Sequence, residues 1–101
     1  MTEAVFYRDR HRRRVRITGH ATGSPKVCAA VSAVAQTLET ALLYLDPEEY
    51  EATISRGDVE IAAAGLGVIA AFDVAALTLE RIAKEHPELV RVKWEEDKHE
   101  L

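Results

Sequence analysis

The chain has 101 residues, of which 48% are hydrophobic and 30% are charged, a balance typical of one soluble globular domain rather than of a disordered segment. Its formal net charge of −4 argues against direct nucleic-acid binding by the chain as a whole. The sequence opens without a basic segment followed by an apolar run, and its one cysteine excludes an internal disulfide, so we expect a cytoplasmic protein with a free thiol.

Two strands joined by a turn are predicted at the start of the chain, at residues 3–7 and 14–20. In the second strand Val15 and Ile17 alternate with polar residues, which indicates one buried face and one solvated face. The hairpin also concentrates positive charge, carried by Arg8, Arg10, Arg12, Arg13, Arg14 and Arg16. Two interpretations stay open: a docking surface for RNA or an acidic partner, and a solvated edge hairpin whose charges deter edge-to-edge pairing, which we favour.

A helix is predicted to begin after a short loop that follows the second strand. Ser24 is a good N-cap, and Pro25 suits the first helical position, because the N–H that proline lacks would be unpaired there in any case. Cys28 therefore lies in the first turn or early in the second. Unpaired N–H groups and the helix dipole favour a negative charge there, as does Lys26, so we expect the thiolate of Cys28 to form readily.

His20, at the predicted end of the second strand, is the candidate base for this thiol. A chain that leaves a strand, turns within seven residues and enters a helix can bring the side chains of His20 and Cys28 together. A second interpretation stays open. A lone cysteine in an alanine-rich helix is often a small buried apolar residue, and a lone histidine is often an ordinary surface residue.

This helix is predicted to run from residue 25 to about residue 45, with one apolar stripe formed by Val27, Val31, Val34, Leu38, Leu42 and Leu45. We judge it too short and too interrupted to span a membrane, which needs about 20 consecutive apolar residues. Ser32 lies one turn after Cys28 and so shares its face. Its hydroxyl could orient the reacting groups or a substrate, but we favour a bond back to a helix carbonyl.

The second half of the chain repeats the pattern of a hairpin followed by a helix. Strands are predicted at residues 50–55 and 59–64, a helix at 68–85 and a last strand at 89–94. The order β-β-α-β-β-α-β predicts an α+β fold, a single small domain over residues 1–101 in which two helices pack on a mixed sheet, with a frayed tail at 95–101. Asp73 is a carboxylate among apolar neighbours in the second helix, and three roles stay open for it. It could be a partner for His20, a dimer contact or, as we favour, a partly exposed helix residue.

No cofactor and no metal are predicted. Residues 65–70 match the glycine fingerprint for a dinucleotide, but only 34 residues follow Gly67, too few for the rest of such a fold. The glycines more simply allow a tight connection from strand to helix. The histidines at positions 11, 20, 86 and 99 are scattered, and no pair of ligands has helical metal spacing.

The segments Gly-His-Ala at residues 19–21 and Val-Cys-Ala-Ala-Val-Ser-Ala at residues 27–33 resemble the ribosomal-processing cysteine protease family (Prp). The similarity continues at residues 64–84 and 87–94 and so covers most of the chain. The resemblance implies that His20 and Cys28 form a catalytic dyad, and we assign substrate contacts to Gly19, Ala21 and Ser32.

The resemblance further implies a homodimeric cysteine endopeptidase that takes a peptide or protein substrate and trims the N-terminal extension of a large-subunit ribosomal protein. In this mechanism Cys28 attacks the peptide carbonyl, His20 moves the proton, and first-turn N–H groups stabilise the oxyanion. The family's loop between histidine and cysteine is usually longer and carries an acidic residue, whereas this chain has Ser-Pro-Lys at residues 24–26. Because of this shortened loop, a non-catalytic binding or assembly module on the same fold stays open as an alternative.

Overall fold

Five strands and two helices make up the computed structural model, which describes residues 1–96. In chain order they are β1 (Thr2–Asp9), β2 (Arg12–Thr18), α1 (Pro25–Leu45), β3 (Glu49–Ser55), β4 (Asp58–Ala64), α2 (Leu66–Glu85) and β5 (Val90–Glu96). The sheet order is β3-β4-β2-β1-β5, in which β1 and β5 are parallel and every other neighbouring pair is antiparallel. The predicted order of elements and the mixed sheet with two helices are confirmed.

One face of the sheet is apolar and packs against both helices. In the central row of this face, Phe6 on β1 lies opposite Val15 on β2, and Val15 lies opposite Ile61 on β4. These three side chains are buried in one cluster with Leu42 of α1 and Phe72 of α2. Burying an apolar side chain of this size stabilises a fold by about 1.5–3 kcal/mol relative to leaving it exposed, so this cluster holds the two layers together.

Helix α1 begins where its capping residues predict. Ser24 Oγ accepts a hydrogen bond from the N–H of Val27 at 3.3 Å, and Pro25 is the first helical residue. Two members of the predicted stripe are not fully buried: Val34 is half-buried, and Leu45 is 41% exposed. Both line a solvent-open groove beside α2. The buried stripe consists of Val27, Val31, Ala35, Leu38 and Leu42.

The length of α1 corrects one prediction. The helix has 21 residues, and a window of 18 of them has a mean hydropathy of 1.4, which is long and apolar enough to cross a membrane. The prediction that the helix is too short and too interrupted to span a membrane is therefore wrong. Its valine, leucine and alanine residues keep the mean hydropathy high despite the scattered polar residues. In the structure its apolar stripe packs into the core shared with the sheet and α2, as in the core helix of a folded domain.

The arginine-rich β1–β2 hairpin lies in the middle of the sheet, because β4 pairs with β2 and β5 pairs with β1. The predicted edge position is therefore wrong, and the edge strands are β3 and β5. On the solvated face Arg14 Nη1 lies 3.0 Å from Glu60 Oε2, and Arg16 Nη2 lies 3.3 Å from Asp58 Oδ2. Part of the positive charge is thus matched by β4, which agrees with a solvated face rather than a free docking surface.

Two ends of strands differ from the sequence prediction. β2 ends at Thr18 rather than at His20, because Gly19 adopts φ +85° and takes the chain out of the extended conformation. β5 runs through Glu96, so the first two residues of the predicted frayed tail belong to a strand. The others, residues 97–101, lie outside the described residues.

Candidate active site

Cys28 is the fourth residue of α1, and it is half-buried. Its sulfur lies against the backbone of Ala21: the Ala21 N–H donates to Cys28 Sγ at 3.3 Å, and the thiol donates to the Ala21 carbonyl at 3.6 Å. The cysteine is therefore held by the loop that precedes the helix as well as by the helix itself. A backbone donor directed at sulfur stabilises negative charge there.

The first turn of α1 offers fewer N–H groups than the sequence suggests. Pro25 has none, the N–H of Val27 is taken by Ser24 Oγ at 3.3 Å, and that of Cys28 by the Ser24 carbonyl at 3.1 Å. In the part of the chain that the structure describes, the N–H of Lys26 alone in this turn has no acceptor. The predicted first-turn oxyanion donors are thus reduced to one, because the cap that starts the helix also consumes its N–H groups.

His20 lies two residues beyond the end of β2 and is exposed to solvent. The preceding residue, Gly19, donates its N–H to the carbonyl of Gly57 at 3.0 Å, which joins this loop to the turn between β3 and β4. Gly19 cannot be replaced easily, because its φ is +85° and an added Cβ would overlap the carbonyl oxygen of Met1. The backbone before His20 is therefore fixed from two sides.

Cys28 and His20 line the same cleft, which has a volume of about 230 Å³ and lies between the first half of α1 and the β3–β4 hairpin. Ile54 of β3 lines it too and is 54% exposed, because α1 leaves this end of β3 uncovered. Within residues 1–96 no hydrogen bond joins the His20 and Cys28 side chains. The lining also includes Gly19, Val31, Ser32, Gln36, Arg56, Gly57 and Asp58.

The three predicted substrate contacts have different positions. Gly19 and Ser32 line the cleft, whereas Ala21 is buried and contacts Cys28 through its backbone. Within residues 1–96 the Ser32 hydroxyl makes no bond to a helix carbonyl, although Thr37 bonds in this way to the Ala33 carbonyl at 2.7 Å. The favoured back-bonded role of Ser32 is therefore wrong, and its hydroxyl is exposed at the cleft.

Asp73 does not belong to this cleft. It is exposed on α2, and in the described residues it has no hydrogen bond or ion pair, so it is not a partner of His20. The carboxylate that does line the cleft is Asp58, which sequence reasoning missed. The guanidinium of Arg16 donates hydrogen bonds to Asp58, which raises the pKa of that guanidinium, so the charge of Asp58 is already paired.

The sequence predicts the turn at Arg56 and Gly57 but contains no local signal that this turn joins the site. The connection comes from the pairing of β2 with β4, which sets Thr18 opposite Asp58 and so brings the turn beside the loop that carries His20.

Among residues 1–96, no group of three or more His, Cys, Asp or Glu side chains could hold a metal ion.

Comparison with known proteins identifies the family of this chain and the solved structures that share its fold. The family model for cysteine protease Prp matches residues 1–91. The ribosomal processing protease Prp of Staphylococcus aureus, solved with a covalently linked product peptide, is 21% identical, with a TM-score of 0.82, and the match covers 94% of this chain and all of that one. The same protease with a substrate peptide is 19% identical, with a TM-score of 0.79 and the same coverage.

A third solved structure, SMU.848 from Streptococcus mutans, is 27% identical, with a TM-score of 0.74, and the match covers 96% of both chains. No curated protein sequence matches the chain.

Proposed function

We propose a function from one premise: the chain belongs to the cysteine protease Prp family, whose model spans residues 1–91. It is a cysteine endopeptidase in which Cys28 is the nucleophile and His20 the general base and acid. One observation supports this most strongly. The predicted nucleophile and the predicted base, which lie on different elements, line one solvent-open cleft in which a backbone N–H is directed at the sulfur.

The chemistry follows from these positions. His20 takes the thiol proton, the sulfur of Cys28 attacks the peptide carbonyl, and a tetrahedral intermediate forms. The C–N bond then breaks as His20 returns the proton to the leaving amine, which leaves a thioester on Cys28. Water, deprotonated by His20, hydrolyses that thioester. The N–H of Lys26, at the start of α1, is available to the oxyanion.

The substrate we propose is a peptide segment of a protein, and specifically the N-terminal extension of a large-subunit ribosomal protein. The S. aureus protease solved with product and substrate peptides supports a peptide ligand for this fold. The cleft supports it too, because its lining is apolar at Val31 and Ile54 and polar at Ser32 and Gln36. An extended peptide needs both kinds of contact.

We further propose that the protein works as a homodimer in the cytoplasm. A groove of about 610 Å³ runs between α1 and α2 on the side away from the sheet, and it is lined almost entirely by apolar residues. Tyr44 and Val74 at this groove are 87% and 64% exposed. A second copy would cover this surface, and a contiguous apolar patch typically marks an interface. The unpaired thiol of Cys28 fits a reducing compartment.

A non-catalytic binding module is the second candidate. It is favoured by one observation: in the described residues the thiol of Cys28 is bonded to the Ala21 backbone and not to His20. If this arrangement persists with a ligand bound, His20 would not take the proton. The loop between His20 and Cys28, which we expect to be shorter than the family's usual loop, would favour this candidate too.

The test is cleavage of a ribosomal protein that carries its N-terminal extension, taken from the genome that encodes this chain. Wild-type protein should release the extension, and Cys28→Ala should not, because the nucleophile is gone. Cys28→Ala should fold normally, since alanine fits the space of this half-buried residue. Cleavage at the wild-type rate by Cys28→Ala would overturn the assignment, and binding of the extension without cleavage by wild type would support the second candidate.

A further inference from the structure

The turn between β3 and β4 lies directly against the imidazole of His20. Gly57 in this turn has φ +80°, and a Cβ built on it would lie 2.8 Å from His20 Nε2 and 3.3 Å from Cε1. The first distance is shorter than real Cβ contacts allow, so a side chain at position 57 and the ring as it stands exclude each other. The imidazole therefore packs on a stretch of bare backbone that only glycine provides.

This turn is also fixed relative to the loop that carries the histidine. The N–H of Gly19 donates to the Gly57 carbonyl at 3.0 Å, one residue before His20. The turn itself is closed by the Ser55 hydroxyl, which donates to the Asp58 carbonyl at 3.2 Å, and Asp58 is paired with Arg16 of β2. The surface under the ring is therefore held in place by the sheet.

Within residues 1–96 no side chain positions this ring instead. In the part of the chain that the structure describes, no carboxylate or hydroxyl bonds to the imidazole of His20. Sites that use a histidine base usually orient its ring with a third polar group. We propose that Gly57 is a positioning residue for His20, and that the bare backbone of the β3–β4 turn replaces such a third group. This inference rests on the proposed function, in which His20 is the base.

The geometry predicts where the effect of a substitution falls. A methyl group on Gly57 would push against the far end of a side chain, which can rotate, and not against backbone. The ring would therefore turn out of its position at little expense to packing. The positive φ of Gly57 has a separate effect on stability, because the backbone of an alanine is strained there whatever surrounds it. Loss of stability and loss of the base can thus be separated by a control.

Gly65 is the matched control. It also has a positive φ, +143°, but a Cβ there meets its neighbours at 3.6 Å or more, which is ordinary contact. It lies at the start of α2, outside the residues that line the cleft. Gly65→Ala should therefore be destabilised by its backbone and leave His20 where it is.

The experiment is a double-mutant cycle on the rate at which iodoacetamide labels Cys28 at neutral pH, with the wild type, His20→Ala, Gly57→Ala and the double variant. Because a free thiol of pKa about 8.5 is mostly protonated at neutral pH, a base that takes its proton can speed labelling by on the order of tenfold, and we expect Gly57→Ala to lose most of the enhancement that His20 provides. In the His20→Ala background, Gly57→Ala should change nothing further, since both act through one ring. The histidine ring signal that disappears in His20→Ala should shift in Gly57→Ala and not in Gly65→Ala.

Three results would overturn the inference: an unshifted His20 signal in Gly57→Ala, equal slowing by Gly57→Ala with and without His20, or equal slowing by Gly65→Ala. Failure of the proposed function looks different. In that case His20→Ala labels like the wild type, whatever the substitution at position 57 does to the ring signal, and no base remains for Gly57 to position.

Discussion

The backbone N–H of Ala21 lies 3.3 Å from the sulfur of Cys28, so the residue next to the predicted base holds the predicted nucleophile. The short loop between β2 and α1 therefore positions both the predicted base, His20, and the predicted nucleophile, Cys28. Any change that moves the start of α1 should move the sulfur with it. The capping residues of this helix thus matter to the site as well as to the fold.

The N-cap can be tested by Ser24→Ala. This variant loses the hydrogen bond from the N–H of Val27 to Ser24 Oγ, and substitutions of this kind cost about 0.5–2 kcal/mol. We expect a fall of about 1 kcal/mol in the free energy of unfolding measured in urea. Thr40→Ala, which removes an exposed hydroxyl in the same helix, is the control and should not be destabilised. Equal stability of Ser24→Ala and the wild type would show that the cap contributes nothing.

Tyr50 gives a prediction about alkaline pH. Burial raises the pKa of this phenol, and the nearby carboxylate of Glu39, which accepts its hydrogen bond at 3.3 Å, raises it further. The neutral phenol is favoured in the folded state, so its contribution to stability is present below the ordinary tyrosine pKa of about 10 and is lost as the pH rises through the raised value.

The measurement is the absorbance of tyrosinate against pH, with Tyr50→Phe to identify the signal. In Glu39→Gln the pKa of Tyr50 should fall towards the ordinary value, because the negative charge has gone while the burial remains. If Glu39→Gln leaves the titration of Tyr50 unchanged, the carboxylate has no influence on the phenol and the contact does not persist in solution.

The dimer proposal predicts an effect of charge in the α1–α2 groove. Val74→Glu places a carboxylate in this groove, where a second copy would have to bury it, and should convert the dimer to a monomer. Leu43→Glu is the matched control, because Leu43 is 60% exposed on α1 but does not line the groove. Molar mass from sedimentation or light scattering distinguishes the two. A wild type that stays monomeric at high concentration would contradict the proposal.

The sequence predicts what local physics determines. Ser24 and Pro25 locate the start of α1, and alternation at Val15 and Ile17 locates β2, because capping and side-chain periodicity act within a few residues. From the start of α1 it follows that Cys28 lies near a helix N-terminus, and the structure agrees.

What sequence reasoning missed depends on strand pairing. The sequence predicts the arginine hairpin at an edge, but the sheet continues on both of its sides. The same pairing carries Gly57 and Asp58 to the cleft, from nearly forty positions along the chain after His20. Neither fact has a local signal, since the strand order of a sheet is decided by contacts between distant residues. Ser32 is a separate case, because within residues 1–96 its hydroxyl makes no bond to a helix carbonyl although that of Thr37 in the same helix does.

The most direct test of the central claim is the rate at which iodoacetamide alkylates Cys28 at neutral pH, in the folded wild type, in folded His20→Ala and in both chains unfolded in urea. We predict that the folded wild type reacts faster than the unfolded chain, by on the order of tenfold because a free thiol of pKa about 8.5 is mostly protonated at neutral pH, and that His20→Ala loses this advantage. Labelling that is slower in the folded state and indifferent to His20 would contradict a Cys28–His20 pair and leave the cysteine a packing residue.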